Sequence, residues 1–222
     1  MLHMKNSQAV QAALTFRARY RQNISRYYLG SLHGGFVFTF GLCSLVFCLA
    51  QVRHWTGIEG LVIVASLLFG NFAEYAIHRW LGHKKQSWAA LFYARHSGDH
   101  HHFFVNGLMT CDSKQDWRVL FFPPWLIVIV TLGIALPSGW LLSRWLGADA
   151  GWAWAGGVVF TYLLYESLHY SYHLPGDHWL SKLPGLTRLR ERHIQHHDPK
   201  IMHHGYFNIT LPLFDYLFNT HN

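Results

Sequence analysis

Four apolar runs divide the chain. Residues 27–52 contain no Asp, Glu, Lys or Arg, and a run of that length suffices to cross a hydrocarbon core, which takes about 20 helical residues. A second run, 60–73, leads directly into Glu74 and His78. A third, 119–143, is uncharged but carries Pro123, Pro124 and Pro137. A fourth, 150–165, leads into Glu166 and His169. The second and fourth runs are short for a span. They read as helices that continue past the hydrocarbon and carry Glu and His on their extensions, where ionisable groups are tolerated if they face inward and have partners. The pattern predicts an all-α, integral membrane four-helix bundle with a cytoplasmic histidine-rich helical cap. The membrane segments fall at about 30–52, 58–80, 119–143 and 150–173. A re-entrant hairpin at Pro137-Ser138-Gly139 would put the first and last histidine-rich stretches on opposite sides, so a single crossing is expected there.

Residues 1–29 form a separate basic arm, with Arg17, Arg19, Arg21 and Arg26 beside Phe16, Tyr20, Tyr27 and Tyr28. This is the composition of an interfacial amphipathic helix, and a solvated helix fits equally well. The arm has neither an apolar core nor a small-residue cleavage site, so no signal peptide is expected. Residues 30–222 form the membrane domain.

Composition sharpens this picture. Charged residues are 13% of the 222, about half the usual ~25% of soluble domains, and hydrophobic residues are 51%. Ten Trp and eleven Tyr are a density that fits anchoring at membrane interfaces. The formal charge of +7 comes from bases spread among apolar segments, which fits lipid head groups and not nucleic acid. If each of the four segments crosses once, sixteen of the eighteen Lys and Arg fall on one side, with only Arg53 and Arg144 opposite. By the positive-inside rule that side, with both termini, is cytoplasmic. Cys43, Cys48 and Cys111 form neither a disulfide framework nor a CxxC motif; Cys43 and Cys48 lie within an apolar run and read as packing residues.

The chemistry lies in four histidine clusters on that same side: His78-x4-His83, His96-x3-His100-His101, His169-x3-His173 and His193-x2-His196-His197. On a helix, residues three or four apart share a face. The five-residue spacing of His78 and His83 fits a helix end that Gly82 allows to bend. Ten imidazoles are too many for one ion; two ions with about five nitrogens each would use them all, as suits iron or zinc. Each half of the chain repeats one plan, a hydrophobic hairpin, a helix-borne pair and a cluster ending in His-His, so each half resembles a half-site. Glu74, Glu166, Asp99 and Asp198 are candidates to accept the outer ring N–H groups and orient the ligands. His102 competes with its neighbours for a ligand place, and His100 and His101 are preferred. His203 and His204 read as outer or surface groups, and His3, His33, His54, His178 and His221 as unrelated.

These motifs resemble those of the fatty acid hydroxylase / sterol desaturase superfamily of membrane di-metal oxygenases. Glu74-Tyr-Ala-Ile-His78-Arg79-Trp-Leu-Gly-His83 is similar to its first box and Arg95-His96-Ser-Gly-Asp-His100-His101 to its second. Glu166-Ser-Leu-His169-Tyr-Ser-Tyr-His173 and Arg192-His193-Ile-Gln-His196-His197 are similar to the third and fourth, and Asn208-Ile-Thr-Leu-Pro-Leu-Phe-Asp215 to the family tail. The H-x3-H-H form of the second box departs from the H-x2 spacing of many sphingolipid and sterol members. The resemblance implies two metal ions, iron in the active form, with zinc as an alternative occupant in purified protein. It implies that one oxygen atom from O2 enters an unactivated C–H bond of a lipid or other apolar substrate. With no cytochrome or flavin motif in the chain, electrons would come from a separate carrier and reductase. A desaturase with the same site is one alternative, and a non-enzymatic metal-binding membrane protein another. Metal transport needs polar groups along a path through the bilayer, which one-sided clusters do not provide.

Overall fold

The computed structural model describes residues 2–221, with side chains from residue 8 onward; the side chains of His3 and Lys5 therefore lie outside the described residues. Helix α1 is Leu2–Gln22, α2 is Gly30–Ala50 and α3 is Gly57–Ile77, running on through a π-helical turn, His78–Gly82. The short α4 (Ala90–Tyr93) passes through a second π-helical stretch, Ala94–His100, into α5 (His101–Phe103), and α6 is Trp117–Leu120. Then come α7 (Trp125–Ile129), a π-helical stretch Val130–Ala135, α8 (Leu136–Leu146) and α9 (Ala148–Tyr172), followed by α10 (Pro184–His196) and α11 (Leu213–Leu217). Among the described residues there is no strand, only the isolated bridge between Val105 and Leu108.

Among the described residues, three helical stretches are long and apolar enough to cross a membrane: Gly30–Ala50, Gly57–Gly82 and Trp125–Leu146. Their outer faces are greasy, with Leu32, Val46, Leu61, Val64, Leu132 and Leu141 each more than half exposed. Large apolar surface of this kind is unfavourable in water and normal in lipid. The third stretch begins at Trp125 and not at 119, because Pro123-Pro124 cannot continue a helix. Val119 and Leu120 instead join a separate core with Phe103, Phe104 and Met109. Pro137 does not break α8. It follows directly on the π-helical stretch, where the Leu136 N–H bonds back to Thr131 O, and this wider register accommodates the residue that lacks a donor. Helix α9, at 25 residues, is long enough for the fourth predicted crossing, but its Gly, Trp, Tyr, Glu and His leave it less apolar than the other three.

The chain divides into two compact units. One comprises residues 31–73 and 121–167, the other 1–30, 74–120 and 168–222. In the first, Cys48, Ile127, Ala135, Ala155, Val158, Val159 and Leu163 form the core. Small residues let its helices approach: a Cβ on Gly139 would stand 2.5 Å from Gly151 O, and one on Gly151 equally close to Gly139 O. This backbone-to-backbone crossing of α8 and α9 is typical of helix packing in membranes. Glu166 lies in this unit, where it accepts from the Phe122 N–H (3.2 Å) and the Tyr162 hydroxyl (2.9 Å).

The second unit holds all ten histidines of the four clusters. It also takes in α1. Arg17 is 1% exposed, and Arg21 bridges Asp112 and Asp116, each at 2.8 Å.

Candidate metal centre

The ten imidazoles are buried and converge in two groups. His78, His83, His96, His101 and His196 form the first, and His100, His169, His173 and His193 the second; within each, one nitrogen per ring lies within 4.8 Å of every other. His197 adjoins the second group, its Nε2 3.1 Å from the Nε2 of both His100 and His193.

Two π-helical turns build the first group. His83 N–H bonds to His78 O at 3.2 Å, and His101 N–H bonds to His96 O. Both pairs are therefore five residues apart and face the same way because the turn is a π turn, a feature frequent at functional sites. Gly82 is needed here for a second reason: a Cβ on it would come within 3.0 Å of His96 Cδ2. The second group takes His100 from the end of the π-helical stretch, His169 from the last turn of α9, His173 from the residue that follows α9, and His193 from the last turn of α10.

The grouping differs from one half-site per half of the chain. Each His-His pair is split, with His101 and His196 in the first group and His100 and His197 at the second. The second box thus lends one histidine to the other half's group, and the fourth box returns one.

Orientation also differs from the sequence expectation. The outer nitrogens of four rings donate to main-chain carbonyls and not to carboxylates. His78 Nδ1 donates to Phe207 O, His196 Nδ1 to Gly205 O at 2.8 Å, His173 Nδ1 to Met109 O at 2.7 Å and His197 Nδ1 to Phe104 O at 2.7 Å. The Ser97 hydroxyl donates to Gly82 O and accepts from His83 Nδ1 at 3.4 Å. The four carboxylates bond elsewhere. Glu74 accepts from Asn208, Ile209 and Thr210, Glu166 from Phe122 and Tyr162, and Asp198 from the Lys200 N–H; Asp99 pairs with Arg95 at 3.5 Å. Glu74 acts at one remove, because the loop it holds presents the Phe207 carbonyl to His78.

A neutral imidazole whose Nδ1 donates has a bare lone pair on Nε2. His78 and His196 point such lone pairs into the first group, with His78–His96 and His83–His196 Nε2 separations of 2.7 and 2.9 Å. His173 and His197 do the same in the second, 3.0 and 3.1 Å from His193 Nε2. Protonation is not the remedy, because burial drives the pKa values down: His83 to about 2, with neighbouring imidazoles adding to the effect, and His197 to about 3. The same two causes push His96, His100, His101, His193 and His196 well below the usual histidine range. Inward lone pairs at this spacing fit a shared cation: ligands ~2.1 Å from one ion at right angles stand ~3.0 Å apart. The all-nitrogen donor set suits a borderline transition metal over calcium or magnesium.

His102 stays outside both groups, with Nδ1 2.9 Å from Ser97 O. The His203 ring lies 5.3 Å from that of His83 at an exposed position, and His204 is exposed as well. Sequence reasoning missed the residues that hold the loops bearing these carbonyls. Asp215 is the chief of them: it is 1% exposed and accepts from the Phe207 and Asn208 N–H groups, both at 2.9 Å, and from the Thr220 hydroxyl at 2.8 Å. The local signal was the acidic residue closing the Asn208–Asp215 tail.

Residues 63–220 match the fatty acid hydroxylase family. Dihydroceramide fatty acyl 2-hydroxylase FAH2 of Arabidopsis thaliana is 32% identical over 166 residues, covering 72% of this chain and 60% of the relative. Fatty acid 2-hydroxylase of Mus musculus is 31% identical over 163 residues, covering 72% of this chain and 39% of the relative. The chain therefore spans between about two fifths and three fifths of these relatives. A solved structure described as full-length scs7p, with only the hydroxylase domain visible, shares the fold at a TM-score of 0.60 and 22% identity, covering 84% of this chain and 65% of that one. All ten clustered histidines lie within the matched residues, and the chain belongs to the fatty acid hydroxylase family.

Proposed function

We propose that the protein is a membrane-bound oxygenase that hydroxylates a fatty-acyl chain, with C2, beside the carbonyl, as the position attacked. The observation that carries this is the pair of adjoining, buried, all-imidazole groups. The substrate class follows the relatives, which bear the names fatty acid 2-hydroxylase and dihydroceramide fatty acyl 2-hydroxylase. His78, His83, His96, His101 and His196 would hold one ion, and His100, His169, His173, His193 and His197 the other, with iron in the working enzyme. Bound and reduced, an iron pair would supply the O2 activation that breaks the C2–H bond. The protein's own part is to keep the rings neutral, to fix their tautomers through the carbonyls of residues 104, 109, 205 and 207, and to exclude water by burial.

The proposed setting is a bilayer crossed four times, by α2, α3, the α7–α8 stretch and α9. The metal-bearing segments and both termini then face the cytoplasm with most of the Lys and Arg. Trp140 and Trp145, 65% and 82% exposed, suit the opposite interface. Electrons come from a separate carrier and reductase.

The test is 18O2 labelling of lipids from cells that express the protein with reducing partners. One 18O per 2-hydroxyacyl chain is expected, and unlabelled product would overturn the hydroxylase reading. A product lighter by two hydrogens and without oxygen would assign desaturation.

A further inference from the structure

Arg17, on α1, lies outside the residues that match the family. It is 1% exposed, and a buried guanidinium is costly unless its donors are met. Its nitrogens reach three acceptors: Nε bonds Phe103 O at 2.8 Å, Nη2 bonds Leu108 O at 2.7 Å, and Nη1 bonds Asp112 Oδ2 at 3.0 Å. The guanidinium also lies over the rings of Phe103 (4.6 Å) and Phe104 (5.1 Å).

These contacts grip one turn, closed by the Val105–Leu108 bridge with Gly107 at φ 89°. The next carbonyl along at each end faces the metal groups: Phe104 O holds His197 Nδ1 and Met109 O holds His173 Nδ1, both at 2.7 Å. Arg17 therefore takes the carbonyls of residues 103 and 108, and the second group of histidines takes those of 104 and 109. The first group is oriented from a different segment, by Gly205 O and Phe207 O.

We propose that Arg17 is a positioning residue for the second metal centre alone: it holds the 103–112 turn so that its carbonyls fix the tautomers of His173 and His197. The proposal rests on the two-metal reading above, and its test separates the two.

The experiment is Co2+ titration of the purified, detergent-solubilised, metal-free chain, read by visible absorption. His83→Ala removes a first-centre ligand and leaves the second centre to report; His173→Ala does the converse. Adding Arg17→Met to the His83→Ala chain should weaken Co2+ binding by ~10-fold or more, the range found when groups orienting a metal ligand are removed. Added to the His173→Ala chain, it should leave affinity within about twofold, which also shows that the variant folds. Unchanged affinity at the second centre, or equal weakening at both, would overturn the proposal. Failure of the unaltered chain to bind Co2+ at all would instead remove the two-metal reading.

Discussion

At the scale of single residues, the proposed ligands are distinguished as much by where their outer nitrogens point as by their identity. Removing a ring from the second centre, by His169→Ala or His197→Ala, is expected to lower metal content and abolish turnover while membrane insertion persists. Elemental analysis of membrane-extracted protein checks this, and full metal content would remove that residue from the ligand set. Gly82→Ala is expected to act more subtly. Its new methyl must displace the His96 ring by a few tenths of an ångström, so the first centre should bind Co2+ more weakly while helix content by circular dichroism stays unchanged. The depressed pKa values of His83 and His197, about 2 and 3, set a pH dependence. An unfolded histidine titrates near ~6.5, so below that pH the unfolded chain binds protons that the folded chain refuses. Stability of the metal-free protein is therefore full above about pH 6.5 and falls as pH drops toward the folded values. Thermal melts between pH 7.5 and 5 should show a falling Tm; a flat profile would mean the rings are not buried as described.

At the scale of elements, the apolar runs and histidine boxes were legible because both are local: uninterrupted hydrophobicity and fixed spacing survive without tertiary information. The five-residue interval between His78 and His83 was visible too, though its cause, a π turn, was not. The orienting groups were hidden. A main-chain carbonyl has no sequence signature, so attention fell on Glu74, Glu166, Asp99 and Asp198, whose bonds lead elsewhere. Arg17 read as part of an interfacial arm because its acceptors lie 86 to 95 residues away. The tail loop at 205–210 is held by Asn208 and Asp215 as the 103–112 turn is held by Arg17. Asp215→Ala deletes acceptors for two buried N–H groups and the Thr220 hydroxyl, each worth about 1–3 kcal/mol when left unmet. It is expected to lower Tm and to loosen metal at the first centre, with Co2+ affinity in the His173→Ala background as the measure. Unchanged affinity there would sink the role given to this loop.

At the scale of the whole molecule, charge asymmetry and apolar helices together make a topological claim. Cysteine accessibility should place residues 84 and 200 on the cytoplasmic face and residue 144 on the other. Labelling of all three from one side would rule out four crossings. The helices are unequally apolar because α9 combines an apolar stretch with Glu166 and His169 in its last two turns, with His173 following directly.

Splitting His100 from His101 and His196 from His197 has a mechanical consequence. At each of these two places a single peptide linkage joins a histidine of one group to a histidine of the other. In the proposed two-ion site the backbone length between the groups is thus covalent, like the gauge of a rail track, and the surroundings set only the side-chain torsions of the paired rings. Exchanging one metal for a larger or smaller one should bend angles inside each cage while leaving the distance between cages nearly untouched.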